Sequence, residues 1–582
     1  MRILFLYIFL GFVATLYILG FDHLSFTNHY WLTSSTDMTS DLISWKYYKN
    51  DIWRFPIGSN PNYGIDIASG IVFSGSVPFL SVIFKLLGNL LPNNFHFFSL
   101  WIFICFFLQS YIAFLIIYHH TNNLSFSIIG SLFFLSSPIF IHRIPMHLSL
   151  SAHWLILLGF YIETKNESTM KLFCWIGLIL LSALTHFYFT MILLGIFILF
   201  VLNEHLINLN IKKLVIQIFL PFIFLFMTMY IFGFFEVPYT DSLGYGYGLY
   251  KLNLASIINP ISVSPNNIVN WSLFLPEIPS HLEEKIEGFN YLGIGGIFLL
   301  IIGIFFIFLN FAEFKKKKYR PYFFIIILFP LVALTNRISF ANDLLFEFEL
   351  PKYIYGIMSI IRASGRFFWP AYYLLFLGSI LILYNKFTKK NSLYILILLF
   401  FLQVIDISPG LQNYFNSNAF KIEKKEIDYL FWNKLSQENQ ILRTTYLNNE
   451  THLLTSLKEI LLLQNFTSTD IAKHARYNRK KASTSRTNLY KSFDESTFKK
   501  NTIFVIDNNN HLRNLKYLFE NKNFGFFFRD NVWIFVPNKK NKMTDFDKKA
   551  LSKYDPITLQ KKDNIILKFN DDQSVHGFGW SH

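Results

Sequence analysis

Two carboxylates four residues apart, Asp37 and Asp41, stand in the stretch Ser34-Ser35-Thr36-Asp37-Met38-Thr39-Ser40-Asp41, just after a hydrophobic first segment, Ile3 to Gly20. An acid at that place can serve as a general base toward a substrate held at a lipid boundary. The competing structural reading makes Asp37 the starter of an interfacial helix, because Asp and Ser are common helix caps. Arg362 and Arg366 are also four apart, in Ile361-Arg362-Ala363-Ser364-Gly365-Arg366-Phe367-Phe368-Trp369-Pro370. On a helix that spacing puts both on one face, and the planar guanidinium pairs well with phosphate oxygens. Their structural alternative is snorkelling toward headgroups. Arg143 and His147 form a second such pair, and His186 and Tyr188 interrupt a long apolar run. For each histidine the structural reading is a satisfied polar core residue.

The elements that position these groups are mostly apolar. The chain has 582 residues, of which 53% are hydrophobic, 19% aromatic and 15% charged, with a mean hydropathy of +0.36. A soluble chain of ordinary composition carries about 25% charged residues. Phe95–Tyr118, Ile211–Phe234 and Tyr291–Phe311 approach or exceed the roughly 20 residues that cross a bilayer as a helix. The expected class is therefore a mainly α, polytopic helical membrane protein. The N-terminal segment has one basic residue, Arg2, and no small-x-small cleavage site, so it reads as a retained first helix. Cys105 and Cys174 both lie in apolar runs; they suit packing and allow no disulfide framework.

Short basic loops belong inside, and Lys315-Lys316-Lys317-Lys318, Lys386 to Lys390 and Lys212-Lys213 are the best of them. Working outward from these loops gives about eleven spans across residues 1–408. A first outer loop covers 21–94 and a second large one covers 235–290. Leu172–Leu202 divides at an outer turn around His186. Ile71–Leu91 lies in the interface rather than crossing it. Asp37, Asp41, Asp66, Arg143, His147, His186, Tyr188, Arg362 and Arg366 then gather at one face. Residues 409–582 form an extracytoplasmic mixed α/β domain, with strands at Thr502–Asp507 and Asn564–Phe569 and a helix near His511–Glu520. A hairpin joins Gly525–Phe528 to Val532–Val536 across Arg529-Asp530-Asn531, and Lys424–Leu435 and Leu453–Leu463 are amphipathic. This tail holds 28 Lys+Arg against 18 Asp+Glu, which reads as a solvated surface and not a nucleic-acid site.

The first outer loop runs Asp51-Ile52-Trp53-Arg54-Phe55-Pro56-Ile57-Gly58-Ser59-Asn60-Pro61-Asn62-Tyr63-Gly64-Ile65-Asp66. Pro and Gly shape tight turns and Trp and Tyr suit the headgroup layer, so the loop can wall a groove with Asn62, Tyr63 and Asp66. Gly244-Tyr245-Gly246-Tyr247-Gly248 lacks the Lys-Ser/Thr of a phosphate loop. No cofactor is called for. A divalent cation on Asp37, Asp41 and His147 is an open alternative, although no compact His/Asp spacing supports it.

Taken together these stretches resemble the GT-C class of membrane glycosyltransferases and, within it, an uncharacterised bacterial family, the domain-of-unknown-function family 6311. The resemblance rests on Asp37, Trp53 to Gly58 with Asn60 to Gly64, His147 with His153-Trp154, His186-Phe187-Tyr188 and Arg362 to Pro370, and covers about Met1 to Pro409. It implies sugar transfer from a polyprenyl-phosphate donor to a surface glycan or lipid-linked acceptor, outside a bacterial cytoplasmic (inner) membrane. Asp37 would be the base. Arg362 and Arg366, with Arg143, would hold the lipid phosphate. Many such enzymes place two acids together, whereas Met38 follows Asp37 here and Asp41 is the candidate second. The ending Gly577-Phe578-Gly579-Trp580-Ser581-His582 looks like the opening of a further β-domain, so a truncated chain and a natural terminus are both expected alternatives. The rival functions are a transporter or flippase of lipid-linked glycans and a non-enzymatic surface-glycan assembly protein.

Overall fold

The computed structural model of the chain describes residues 1–537 apart from 68–69, 166–167, 207–209, 239–240, 242–245, 265–266, 311–315, 416–419, 421–426, 446–450 and 507–523. The expected helix His511–Glu520, the strand Asn564–Phe569 and the ending Gly577–His582 lie outside the described residues. So do Lys315, Lys424, Asp507 and the first two residues of the Gly244–Gly248 run.

The chain is mainly helical, with a small sheet near its C-terminus. Among the described residues five helices are long and apolar enough to cross a membrane: Arg2–Leu19 (α1), Phe98–Thr121, Phe187–His205, Ile211–Phe232 and Ser364–Lys386. A sixth candidate is the pair Lys389–Asp406 and Ser408–Tyr414, bent by 55°. Leu124–Leu135, Ile294–Leu309 and Arg320–Leu334 are apolar but have only 12, 16 and 15 residues. At about 1.5 Å rise per residue none reaches the ~30 Å hydrocarbon thickness alone. The long run Leu172–Leu202 does divide, into Ser168–Ala183 and Phe187–His205. Pro78–Leu87 is a helix of 10 residues, too short to cross. The break at 186 has a local cause: the His186 side chain accepts the Tyr188 N–H at 3.3 Å and starts the second helix.

The end of Lys389–Asp406 anchors its neighbours. The buried Asp406 carboxylate takes hydrogen bonds from Ser272 Oγ, from Tyr291 Oη at 2.6 Å and from the Ile294 N–H at 2.9 Å. The last bond places a negative charge on the N-terminus of Ile294–Leu309. Gln403 donates to Leu292 O at 2.8 Å and accepts from the Gly296 N–H at 2.9 Å. The second large loop is held from within by Glu284, which pairs with Lys251 and with Asn253 Nδ2 at 2.7 Å.

Four strands form two small hairpins, β1 (Ile261–Val263) with β2 (Ile268–Asn270) and β3 (Arg337–Phe340) with β4 (Asp343–Glu347). The tail sheet has the order β6-β5-β7-β9-β8, from β5 (Ile441–Thr444), β6 (Ser468–Thr469), β7 (Thr502–Ile506), β8 (Gly525–Arg529) and β9 (Val532–Val536). The parallel pairs β5/β6 and β5/β7 need crossovers, which helices Thr451–Ser456, Lys458–Leu463 and Arg479–Asp494 supply. The hairpin β8/β9 turns at Asp530 and Asn531, with φ of 52° and 64°, as a tight two-residue turn demands. The amphipathic segment Leu453–Leu463 falls in two short helices that break at Leu457.

The tail shares its core with the segment between α1 and Phe98–Thr121. Ile43 and Tyr47 of helix Thr36–Asn50 (α2), together with Tyr63, pack among Trp432, Leu442, Leu454 and Ile503. Backbone bonds Thr469 N–H to Asn62 O (2.9 Å) and Gly64 N–H to Thr469 O (2.9 Å) extend the edge at β6. Lys46 Nζ donates to Leu461 O at 2.7 Å and Gln464 O at 2.8 Å, and Lys458 Nζ to Thr33 O at 2.8 Å. Truncating Ile43 to Ala should weaken this attachment by about 2–5 kcal/mol. The expected readout is faster limited proteolysis between the helical part and the tail, with the helical part still intact.

Candidate active site

Ser35, and not Asp37, caps α2: its side chain accepts the Met38 N–H at 3.3 Å. Asp37 is left in the first turn, where the helix dipole favours a carboxylate, and its side chain is 35% exposed. Its Oδ1 lies 2.5 Å from Lys473 Nζ of the tail. Its Oδ2 lies 3.6 Å from His147 Nδ1, beyond a good hydrogen bond. Burial alone would push this carboxyl up. The charges of Lys473, His147 and Arg362 outweigh that and hold it below the ordinary carboxylate range. At neutral pH it is an anion with one oxygen engaged and the other facing the cluster.

Asp41 is one turn further along, on the same side of α2, and its situation is the reverse. It is buried, with Oδ1 accepting the Gly75 N–H at 2.7 Å. Burial, and then the Asp37 charge, push its carboxyl well above the ordinary range against the weaker opposing pull of Gly75 and Lys473. A Cβ on residue 75 would stand 2.5 Å from Asp41 Oδ2, so only glycine lets the chain pass this close. The two acids of one helix are thus driven apart, the first ionised and the second holding its proton.

A second buried carboxylate, Glu287, organises the cations. It ends the short helix Leu282–Glu287 and takes Arg366 Nε at 2.8 Å and Nη2 at 2.5 Å, a two-pronged pairing. Arg143 Nη1 approaches the same carboxylate at 2.8 Å, and His147 Nε2 is 3.7 Å away. Burial opposes this charge, but Arg366, Arg143 and His147 hold the carboxyl well below its usual range. His147 therefore stands between Asp37 and Glu287, one ring nitrogen toward each. Arg366 also stacks over Tyr188 (4.5 Å), whose hydroxyl accepts the Ala363 N–H at 2.9 Å. Arg143 lies over Trp369 at 5.4 Å. Gly365 permits the close seating of the Arg-rich turn: a Cβ there would be 2.8 Å from Glu287 O.

The structure gathers Asp37, Asp41, Arg143, His147, Tyr188, Arg362 and Arg366 into one neighbourhood, with His186 close enough for the charges of Arg366 and His147 to act on it. Asn62 and Asp66 are placed against the tail instead, and Tyr63 lies between the tail and α2, bonded to Ser40 and to the Lys473 N–H. Asn62 Oδ1 accepts from Ser468 Oγ at 2.9 Å, and Asp66 lies 3.2 Å from Ser485 Oγ and 3.8 Å from Arg443 Nη1. His153 packs between helices, with Nδ1 2.7 Å from Tyr373 Oη and its ring 4.2 Å from that of Trp369. Among the described residues no group of three or more His, Cys, Asp or Glu side chains is arranged to hold a metal ion.

Sequence reasoning passed over Glu287, Gly75, Lys473 and Arg476. The acids Glu283, Glu284 and Glu287 in a charge-poor chain were a usable signal for the first. Lys473 and Arg476 sit in a tail full of basic residues and carried no distinguishing mark. Burial, with Arg362 and Arg479 nearby, lowers Arg476 to about 10, so guanidinium groups of both halves of the molecule crowd here.

Two outcomes are expected. Glu287→Gln leaves two buried arginines without their carboxylate and should cost about 3–5 kcal/mol, read as a lower unfolding temperature in detergent. Asp41→Asn keeps the acceptor for Gly75. The raised Asp41 carboxyl makes the folded state bind more protons than the unfolded one, so stability falls as pH rises above the unfolded carboxylate range, until Asp41 ionises in the folded state. The Asn variant should lose that decline and be the more stable form at pH 7 in thermal unfolding across pH 4–8.

The sequence matches the family described as "Domain of unknown function (DUF6311)" over residues 8–408. No curated protein matches the chain.

Proposed function

We propose that this chain, which belongs to the DUF6311 family, is a membrane glycosyltransferase. In this reading it moves a sugar from a polyprenyl-phosphate-linked donor to an acceptor hydroxyl at the outer face of a bacterial cytoplasmic membrane. The shorter apolar helices complete a bundle of about eleven spans, and the tail lies on the outer side. The GT-C resemblance of the motifs implies this chemistry. One observation carries it: an ionised Asp37 with Oδ1 held by Lys473 and Oδ2 approached only at 3.6 Å by His147 Nδ1, with the Arg362 charge acting on it as well.

The step is a single displacement. The acceptor oxygen forms a bond to the anomeric carbon as the bond from that carbon to the phosphate oxygen breaks, and the electron pair leaves with the lipid phosphate. The acceptor proton passes to Asp37 Oδ2. A carboxylate held below its usual range is a weak base, so the proton moves late, once the new bond has made the hydroxyl acidic. Arg362, whose charge acts on Asp37, supports the departing phosphate together with Arg476, whose charge it meets. Arg143 and Arg366 set the local field and fix His147 and Tyr188. A transporter needs polar groups at several depths, whereas these lie together.

The test is transfer by the purified protein in lipid nanodiscs from defined polyprenyl-phosphate sugars. Asp37→Asn should lower kcat by about 10²–10⁴-fold, and Arg362→Gln should lower kcat/KM for the donor. Because the Asp37 carboxyl is lowered, activity should stay flat from pH 7 down through the ordinary carboxylate range and fall only below it. Wild-type transfer by Asp37→Asn, or lipid translocation without transfer, overturns the reading.

A further inference from the structure

Among the described residues the tail reaches this site through residues 470–478, between β6 and helix Arg479–Asp494. The main chain of Lys473 is held by a closed ring of hydrogen bonds. Its N–H donates to Tyr63 Oη at 3.1 Å, Tyr63 and Ser40 hydroxyls share a bond of 2.9 Å, and Ser40 Oγ donates to Lys473 O at 2.8 Å. Ser40 has a single proton and gives it to the carbonyl, so the Tyr63 proton must go to Ser40. Ser40 stands in α2 between Asp37 and Asp41. The same helix therefore fixes both the acid and the backbone of the residue that binds it. Two residues on, the Ala475 N–H donates to Phe73 O at 3.0 Å.

We propose that the tail domain is a working part of the active site, with Lys473 a positioning residue that engages Oδ1 of Asp37 and leaves Oδ2 aimed at the acceptor hydroxyl. The pairing stands on geometry; what the aimed oxygen does rests on the transfer reading. The ion pair is not needed to attach the tail, because the shared core around Ile43 and Tyr47, the Lys46 and Lys458 bonds and the β6 edge do that elsewhere. The side chain of Lys473 takes no part in the ring that clamps its backbone, so replacing it leaves the loop seated. The groups around Asp37 are Lys473 from the tail, His147, Arg362 and Arg366 from the helical part, and Tyr63 and Asp41 from the segment between α1 and Phe98–Thr121. Without Lys473, Oδ1 has His147 and the guanidiniums to turn toward, and the acid loses its fixed direction as well as its largest neutralising charge.

The experiment uses the full chain in nanodiscs as wild type, Lys473→Gln, Lys473→Met and Lys473→Arg. Water-soluble carbodiimide couples to protonated carboxyls, and peptide mass spectrometry reads the coupling at Asp37 against pH. In Lys473→Gln and Lys473→Met the midpoint should move to higher pH, and in Lys473→Arg it should return toward wild type. In transfer assays Lys473→Gln should lower kcat by about tenfold or more, with KM for the donor little changed and the acid limb of the pH profile moved upward. Identical coupling profiles in wild type and Lys473→Gln overturn the proposal. So does a fall in kcat with no movement of the acid limb. If wild-type protein shows no transfer but the coupling midpoints move as stated, the transfer reading fails and the Lys473–Asp37 pairing stands.

Discussion

One buried carboxylate decides where the rest of the site can be. Glu287 comes from the second large loop, and its partners Arg143 and Arg366 come from two other stretches of the chain. A charge taken out of water is costly unless it is matched, so these stretches must meet if any of them is to be buried. Two guanidiniums on one carboxylate leave the centre positive. With Lys473, His147 and Arg362 turned toward Asp37 as well, that acid stays ionised in the same neighbourhood.

The same electrostatics separates Asp37 from Asp41. They share a helix and are one turn apart, yet one faces a lysine and a histidine while the other faces a glycine amide and the first acid. Neither residue type nor spacing distinguishes them. The partners do, and these come from residues 75, 147 and 473, far away in the chain.

Much of the helical layout was legible in the sequence because apolar run length is a local property. The break at His186, the short Pro78–Leu87 helix and the β8/β9 hairpin all follow from local signals: a capping side chain, a length and a turn dipeptide. The family was legible too, since its stretches fall within the matched residues 8–408. The number of spans was less so, because several apolar helices stop at 12 to 16 residues, where hydropathy says apolar but not how far. The site was half legible. Residues of unusual type in apolar surroundings were visible, as Arg143, His147 and Arg366 were. Groups whose role depends on a distant partner were not. Tyr63 looked like part of a groove wall, and its ring is buried in the core of the tail. Lys473 looked like one basic residue among many.

The seat of the tail on α2 also bears on biosynthesis. Ser40 meets Lys473 at a sequence separation of 433, and Lys46 meets Leu461 at 415. Contacts of such separation form late. While the ribosome is still making the helical part, Ile43 and Tyr47 have no core to enter, and the carboxylate of residue 37 has no lysine. The cluster around Asp37 is complete only when the later-made tail has arrived and folded back onto α2. A nascent or clipped chain would keep its helical part and yet leave the first acid of α2 without its lysine.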